Sequence, residues 1–138
     1  MPGDTDSGVI PALEAASGKR RGSGFGVCYS PEFIALGSVL RDFLNPDFVL
    51  IGESDPRAGD TLATIYRSTC ENSPPIHRTN LVNAELAKLA VNTYLTTKIT
   101  FANTLAAICE RLQGADVDVV TQAVGLDSRI GRRYLMGG

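Results

Sequence analysis

The chain has no tryptophan, one histidine and two methionines among its 138 residues. A single histidine cannot build the histidine-rich ligand sets of catalytic zinc, and neither an HExxH motif nor a P-loop is present. The three cysteines, Cys28, Cys70 and Cys109, are far apart and form no CxxC pair. That spacing argues against a disulfide framework and for free thiols acting as small core hydrophobes in a reducing compartment. There is no basic excess: 13 Lys and Arg face 15 Asp and Glu, a formal net charge of −2. The phosphate-neutralising charge of a nucleic-acid binder is therefore missing. The apolar stretch over residues 80–112 is interrupted by Lys88, Asn92 and Lys98, which excludes a conventional membrane span. Met1–Asp6 has neither a basic nor an apolar leader region, so no signal peptide is read there. With 43% hydrophobic and 20% charged residues, extended disorder is also excluded. The expectation is a cytoplasmic protein of one domain or parts of two, with neither nucleic acid nor membrane as partner.

Punctuation by Gly, Pro and Asp divides the chain into six or seven elements. Val9, Ile10, Leu13 and Ala16 have helical spacing, with Gly18 as a stop, and Pro11 is tolerated only in a first turn. Phe25–Ser30 reads as a buried strand ended by Pro31, and residues 31–44 as a loop with a helical turn. Phe48–Gly52 is a second strand. Asp55-Pro56 starts a helix to about residue 70, with Leu62, Ile65, Tyr66 and Thr69 on one face. Ile76-His77-Arg78 reads as a short strand. Residues 80–112 hold no Gly and no Pro, which predicts a helix roughly 50 Å long. Asp116 caps a last helix that Gly125 stops.

The long helix is apolar around most of its circumference, so it must be buried on several sides, and 138 residues supply little material to do so. A partner subunit is implied, with Val91, Leu95 and Phe101 among the residues to be covered. Glu85, Lys88, Asn92, Thr96 and Asn103 fall within an arc of roughly 80° at 100° per residue. Two readings fit this arc: a solvated stripe, or a ligand-facing seam. Gly22-Ser23-Gly24-Phe25-Gly26 fails as a dinucleotide loop, because its glycines precede the strand instead of following it into a helix. His77 stands at a strand edge, a weak candidate for a general base. Pro31-Glu32 puts a carboxylate just past a strand terminus, where α/β sheets bind ligands, although an ordinary loop position fits as well. Arg129, Arg132 and Arg133 can bind an anion or stand solvated.

Five motifs, in order along nearly the whole chain, carry a resemblance. They are Ser30-Pro31-Glu32-Phe33-Ile34-Ala35, Asn45-Pro46-Asp47-Phe48-Val49-Leu50-Ile51-Gly52, Asn83-Ala84-Glu85-Leu86-Ala87-Lys88-Leu89-Ala90-Val91-Asn92, Lys98-Ile99-Thr100-Phe101-Ala102-Asn103, and Gly125-Leu126-Asp127-Ser128-Arg129-Ile130-Gly131. Together they resemble the nucleotide-sugar 6-dehydrogenases of the UDP-glucose/GDP-mannose dehydrogenase family, and the wording around Arg129 is closer to the UDP-glucose branch.

The resemblance implies two NAD-dependent oxidations of a sugar C6 alcohol to a carboxylate, through a cysteine thiohemiacetal and a thioester that water hydrolyses. By the same resemblance the catalytic residues are Glu32, which assists the hydrolytic water, Lys88, which stabilises oxyanions, and Asn92, which orients substrate or water. Phe33, Ile34, Lys88, Asn92, Tyr134 and Met136 line the UDP-sugar site, and Arg129 reaches the sugar nucleotide of the neighbouring subunit. The implied fold is α/β, the end of a Rossmann-like sheet domain over residues 1–79. A long-helix all-α dimerisation and substrate-binding domain follows over residues 80–138, resembling the helical domain of 6-phosphogluconate dehydrogenase. Leu36 stands where the family often has a second Glu. The family's Gly-rich NAD loop and Gly-Gly-x-Cys nucleophile are not among these residues. The expectation is therefore a central fragment that forms a homodimer through the 80–112 helix, holds a UDP-sugar, and leaves NAD to other segments. No metal is implied. The competing expectation is a degenerate, non-enzymatic dimerisation module of the same fold.

Overall fold

A computed structural model describes residues 1–34 and 37–136, and these form two compact units, Met1–Lys88 and Leu89–Gly138. The expected departure at Leu36 lies outside the described residues. The first unit is built on a three-stranded sheet of order β1-β2-β3, with β1 at Cys28–Tyr29, β2 at Val49–Glu53 and β3 at Ile76–Asn80. β1 runs antiparallel to β2, and β3 runs parallel to it with Val49 opposite Ile76 and Glu53 opposite Asn80. Parallel neighbours require a crossover, supplied here by helix α3, Pro56–Thr69. Its start follows the sequence cue. Pro56 sits in the first turn, and the Asp55 carboxylate accepts from the Ala58 N–H at 3.1 Å, which holds the Asp55 pKa below the usual range. Val49–Gly52 of the central strand are buried, and Val49 and Ile51 pack with Ala63 and Cys70 into the core.

The predicted strand over residues 25–30 is only two residues long in the structure. Phe25 turns back instead, and its carbonyl accepts from the Gly22 N–H at 2.9 Å. Gly26 lies where a Cβ would come within 2.5 Å of the Ala58 Cβ, so the chain passes too close to α3 to continue a regular pleat there. The predicted amino-terminal helix is split. A π-helical turn, Thr5–Val9, leads into α1, Ile10–Ser17, with Pro11 in the first turn, where its missing N–H is harmless. The loop predicted over residues 31–44 contains α2, Val39–Leu44. Arg78 ties three elements together: it donates to Glu53 on β2 at 2.7 Å, to Asp60 on α3, and to the Pro56 carbonyl at 2.9 Å. Glu53 and then Asp60 raise the Arg78 pKa.

Helix α4, Leu81–Cys109, ends three residues before the sequence reading. Beyond it, Arg111, Leu112 and Ala115 donate three residues back, which tightens the final turns. The segment Leu81–Lys88 belongs to the first unit and Leu89–Cys109 to the second. Of the polar arc, Asn92, Thr96 and Asn103 are exposed, as a solvated stripe requires, whereas Lys88 is half-buried and Glu85 is buried at 6% exposure. The apolar residues Leu86 (55% exposed), Leu89, Phe101 and Ile108 are instead exposed in this single chain, and Val91 and Leu95 are half-buried. In the second unit α5, Val117–Gly125, starts at Asp116, whose carboxylate accepts from the Asp118 and Val119 N–H groups. Gly125 does not stop it. It is the last helical residue, and a Cβ there would lie 2.8–3.0 Å from Arg132 atoms, so close packing accounts for the glycine. Among the described residues, no helix is long and apolar enough to cross a membrane.

Candidate functional site

The first turns of α4 carry two charged side chains with opposite fates. Glu85 turns toward the amino-terminal segment, where its carboxylate accepts from the Thr5 N–H at 2.9 Å, the Thr5 hydroxyl and the Gly3 N–H. Gly3 has φ +98°, a conformation only glycine adopts without strain, and this bends the backbone so that its N–H can meet the carboxylate. These bonds, the Thr5 hydroxyl foremost, lower the Glu85 pKa despite burial. One turn on, Lys88 is half-buried and faces the loop after β1. Its ammonium donates to the Glu32 main-chain carbonyl and sits 4.6 Å from the centre of the Phe33 ring. Phe33 leans on Phe48, with ring centres 4.7 Å apart. A cation held over an aromatic face by a carbonyl is fixed in place without being neutralised.

Glu32, Phe33 and Lys88 are therefore brought together, although Lys88 meets the Glu32 backbone and not its carboxylate. Glu32 is exposed and Ile34 is half-buried beside Phe33 in sequence. In the second unit Asn92 is exposed on α4. Arg129 stands in the turn after α5, with its side chain 86% exposed and bound to the Asp127 carboxylate through Nε at 3.0 Å and Nη2 at 2.7 Å. The pairing raises the Arg129 pKa and lowers that of Asp127. Tyr134 and Met136 are exposed, and Tyr134 has a left-handed backbone, φ +63°, strained for a side chain of its size. Asp127 was not among the sequence-derived candidates. Its place two residues before an arginine in a turn was the available signal.

Cys28 is not an activated nucleophile. Burial, then Glu53 and Asp55, raise the Cys28 pKa, and Cys70 is buried with its thiol toward the Phe43 carbonyl. His77 is exposed on β3. No group of three or more His, Cys, Asp or Glu able to hold a metal ion occurs among the described residues. A dinucleotide pyrophosphate needs glycines at a strand-to-helix junction. The β2–α3 junction is Glu53-Ser54-Asp55, with the Asp55 carboxylate already on the helix N-terminus, and the β3–α4 junction is Thr79-Asn80. Neither fits NAD.

A parallel strand pair with a helical crossover, a long helix, and a lysine on that helix reaching the loop after β1 make up a small α/β arrangement with one fixed ammonium. Two sequence patterns match the chain: the NAD binding domain of the UDP-glucose/GDP-mannose dehydrogenase family over residues 1–70, and that family's central domain over residues 82–138. A UDP-glucose 6-dehydrogenase of Haloferax volcanii is 41% identical over all of this chain and 32% of its own length. The structure of a UDP-glucose dehydrogenase from Pyrobaculum islandicum superposes with TM-score 0.89 at 40% identity, over 99% of this chain and 30% of the other. A GDP-mannose dehydrogenase from Pseudomonas aeruginosa, solved as a ternary complex, gives 0.87 at 34% identity, over 100% and 31%. The chain belongs to the UDP-glucose/GDP-mannose dehydrogenase family, and it spans about a third of the length of the relatives it matches.

Proposed function

We propose that this chain is the substrate-holding and dimer-forming part of a nucleotide-sugar 6-dehydrogenase that oxidises UDP-glucose or a related UDP-sugar to the uronic acid with two NAD. Residues 1–79 would be the end of the dinucleotide-binding domain. Residues 80–138 would be the helical domain, akin to that of 6-phosphogluconate dehydrogenase, which pairs with a second copy through the 80–112 helix. The observation that carries the reading is the Lys88 ammonium, held on the Glu32 carbonyl and the Phe33 ring. An ammonium fixed in this way is ready for negative charge developing on a sugar C6 oxygen, and preorganised donors of this kind are worth two to three orders of magnitude in rate. The exposed Glu32 carboxylate can take the proton of an attacking water. In the second unit Asn92 orients substrate or water. Arg129, with Tyr134 and Met136, receives the sugar nucleotide of a neighbouring subunit, and Phe33 and Ile34 border the sugar.

Titration of the 15N-labelled chain with UDP-glucose tests this. Saturable shifts at Lys88 and Asn92 are expected, and their absence at millimolar ligand favours the non-enzymatic dimerisation module. In a chain that also carries the NAD loop and the Gly-Gly-x-Cys motif, Lys88→Ala is expected to lower kcat by about 10²-fold or more, read as NADH absorbance. Unchanged turnover would remove Lys88 from the site.

A further inference from the structure

The Arg129 turn is held from two sides. From within, the Ile130 and Gly131 N–H groups both donate to the Asp127 carbonyl at 2.9 Å, and the Arg129 N–H donates to the Asp127 carboxylate at 3.0 Å. From α4, the half-buried Lys98 donates its ammonium to the carbonyls of Ile130 at 3.1 Å and Gly131 at 3.4 Å. Gly131, at φ +72°, is the point where the backbone reverses to present both carbonyls on one side. Neither carbonyl belongs to a helix or strand, so one ammonium meets two acceptors that regular structure leaves open. The Asp127 side chain fixes the guanidinium relative to the turn, and Lys98 fixes the turn relative to α4. An arginine at 86% exposure would otherwise sample many orientations.

We infer that Lys98 is a positioning residue that anchors the 127–131 turn to α4 and thereby sets the direction of the Arg129 guanidinium. Its functional meaning rests on the reading of Arg129 as a ligand of the sugar nucleotide. It assigns to Lys98 the task of preorganising that ligand before substrate arrives. The residue touches no substrate and acts only through Arg129. A neutral side chain of similar length removes the anchor, and arginine keeps it.

The test uses the 138-residue chain and its Lys98→Met and Lys98→Arg variants. Amide hydrogen exchange is read at Ile130 and Gly131, with Ala102 on α4 as internal reference, together with the Arg129 Nε–Hε resonance. Lys98→Met is expected to speed exchange at Ile130 and Gly131 about tenfold or more and to move the Arg129 Nε–Hε signal. Ala102 should stay unchanged, and Lys98→Arg should restore the wild-type pattern. Unchanged exchange at the turn overturns the proposal. So does equal acceleration at Ala102, which would make Lys98 a general stabiliser of the unit, or failure of the arginine variant to restore the turn. UDP, added at millimolar concentration to the unmodified chain, probes the ligand reading separately. A shift of the Arg129 Nε–Hε signal supports it. A silent signal with the exchange pattern intact overturns the ligand role of Arg129 while Lys98 stands as the anchor of the turn.

Discussion

Glu85→Ala is expected to lower the free energy of unfolding by about 2–4 kcal/mol. The carboxylate is buried and accepts three hydrogen bonds from Gly3 and Thr5 across 80 residues of sequence. Bonds to a charged group contribute about 1.5–3 kcal/mol each, and the sum falls short of three such bonds because the freed donors regain water when the amino-terminal segment peels away. Glu85→Gln keeps the volume but turns an amide donor toward N–H groups, so it recovers only part of the loss. The pH dependence has a definite sign. The folded pKa lies below the unfolded value of about 4.3, so the carboxylate contributes stability above that pH and loses it as pH falls through the folded pKa. Urea unfolding at pH 7 and below pH 4 checks both parts: the gap between wild type and Glu85→Ala should be widest at pH 7 and shrink in acid. A gap that does not change with pH would mean that the carboxylate's charge plays no part in the clamp.

That clamp also shows where sequence reading stops. The periodicity of the long helix correctly put Glu85 and Lys88 on one polar arc, because 100° per residue is a property of the helix alone. Whether the arc meets water or protein depends on the Gly3–Thr5 turn, which no local pattern connects to residue 85. Elements whose cause is local were legible: the capped starts at Asp55-Pro56 and Asp116, the apolar run of β2, and the unbroken helix after Asn80. Phe25 and Gly26 were misread because a strand propensity was outweighed by contact with α3, a tertiary effect. Gly125 was misread for the same reason, since close approach and helix termination leave the same letter in the sequence. Of the candidate site, the chemistry of Lys88 and Glu32 came from family resemblance. Their meeting through a backbone carbonyl and the Lys98 anchor needed three dimensions, whereas the Asp127–Arg129 pair is a local contact two residues apart.

The position of Lys88 depends on how closely α4 begins against the sheet, and Gly52 sets that distance. A Cβ on Gly52 would lie 2.6 Å from the Ala84 Cβ, 3.0 Å from the Leu81 Cα and 3.1 Å from the Asn80 carbonyl oxygen. Two of these are main-chain atoms, at the point where β3 passes into α4 without a loop, and they can move only if the helix moves. Gly52→Ala is therefore expected to cost about 3 kcal/mol, the upper part of the range for overpacking, with Gly52→Val costing more. Gly59 is the instructive contrast. A Cβ there would fall 1.6 Å from the Glu53 Oε2 and 2.7 Å from the Arg78 Nη2, a worse clash on paper. Both of those atoms end side chains, so relief strains the Arg78–Glu53 pair but moves no main chain, and alanine favours the helix over glycine by about 1 kcal/mol. Gly59→Ala should thus cost less than Gly52→Ala. In chemical denaturation the order should be wild type, Gly59→Ala, Gly52→Ala, from most to least stable. The Gly52 variant should also disturb the Lys88 and Phe33 resonances, because the helix start that carries the ammonium has been displaced. A Gly52→Ala chain as stable as wild type, with those resonances unmoved, would show that the strand-to-helix approach does not set the place of Lys88.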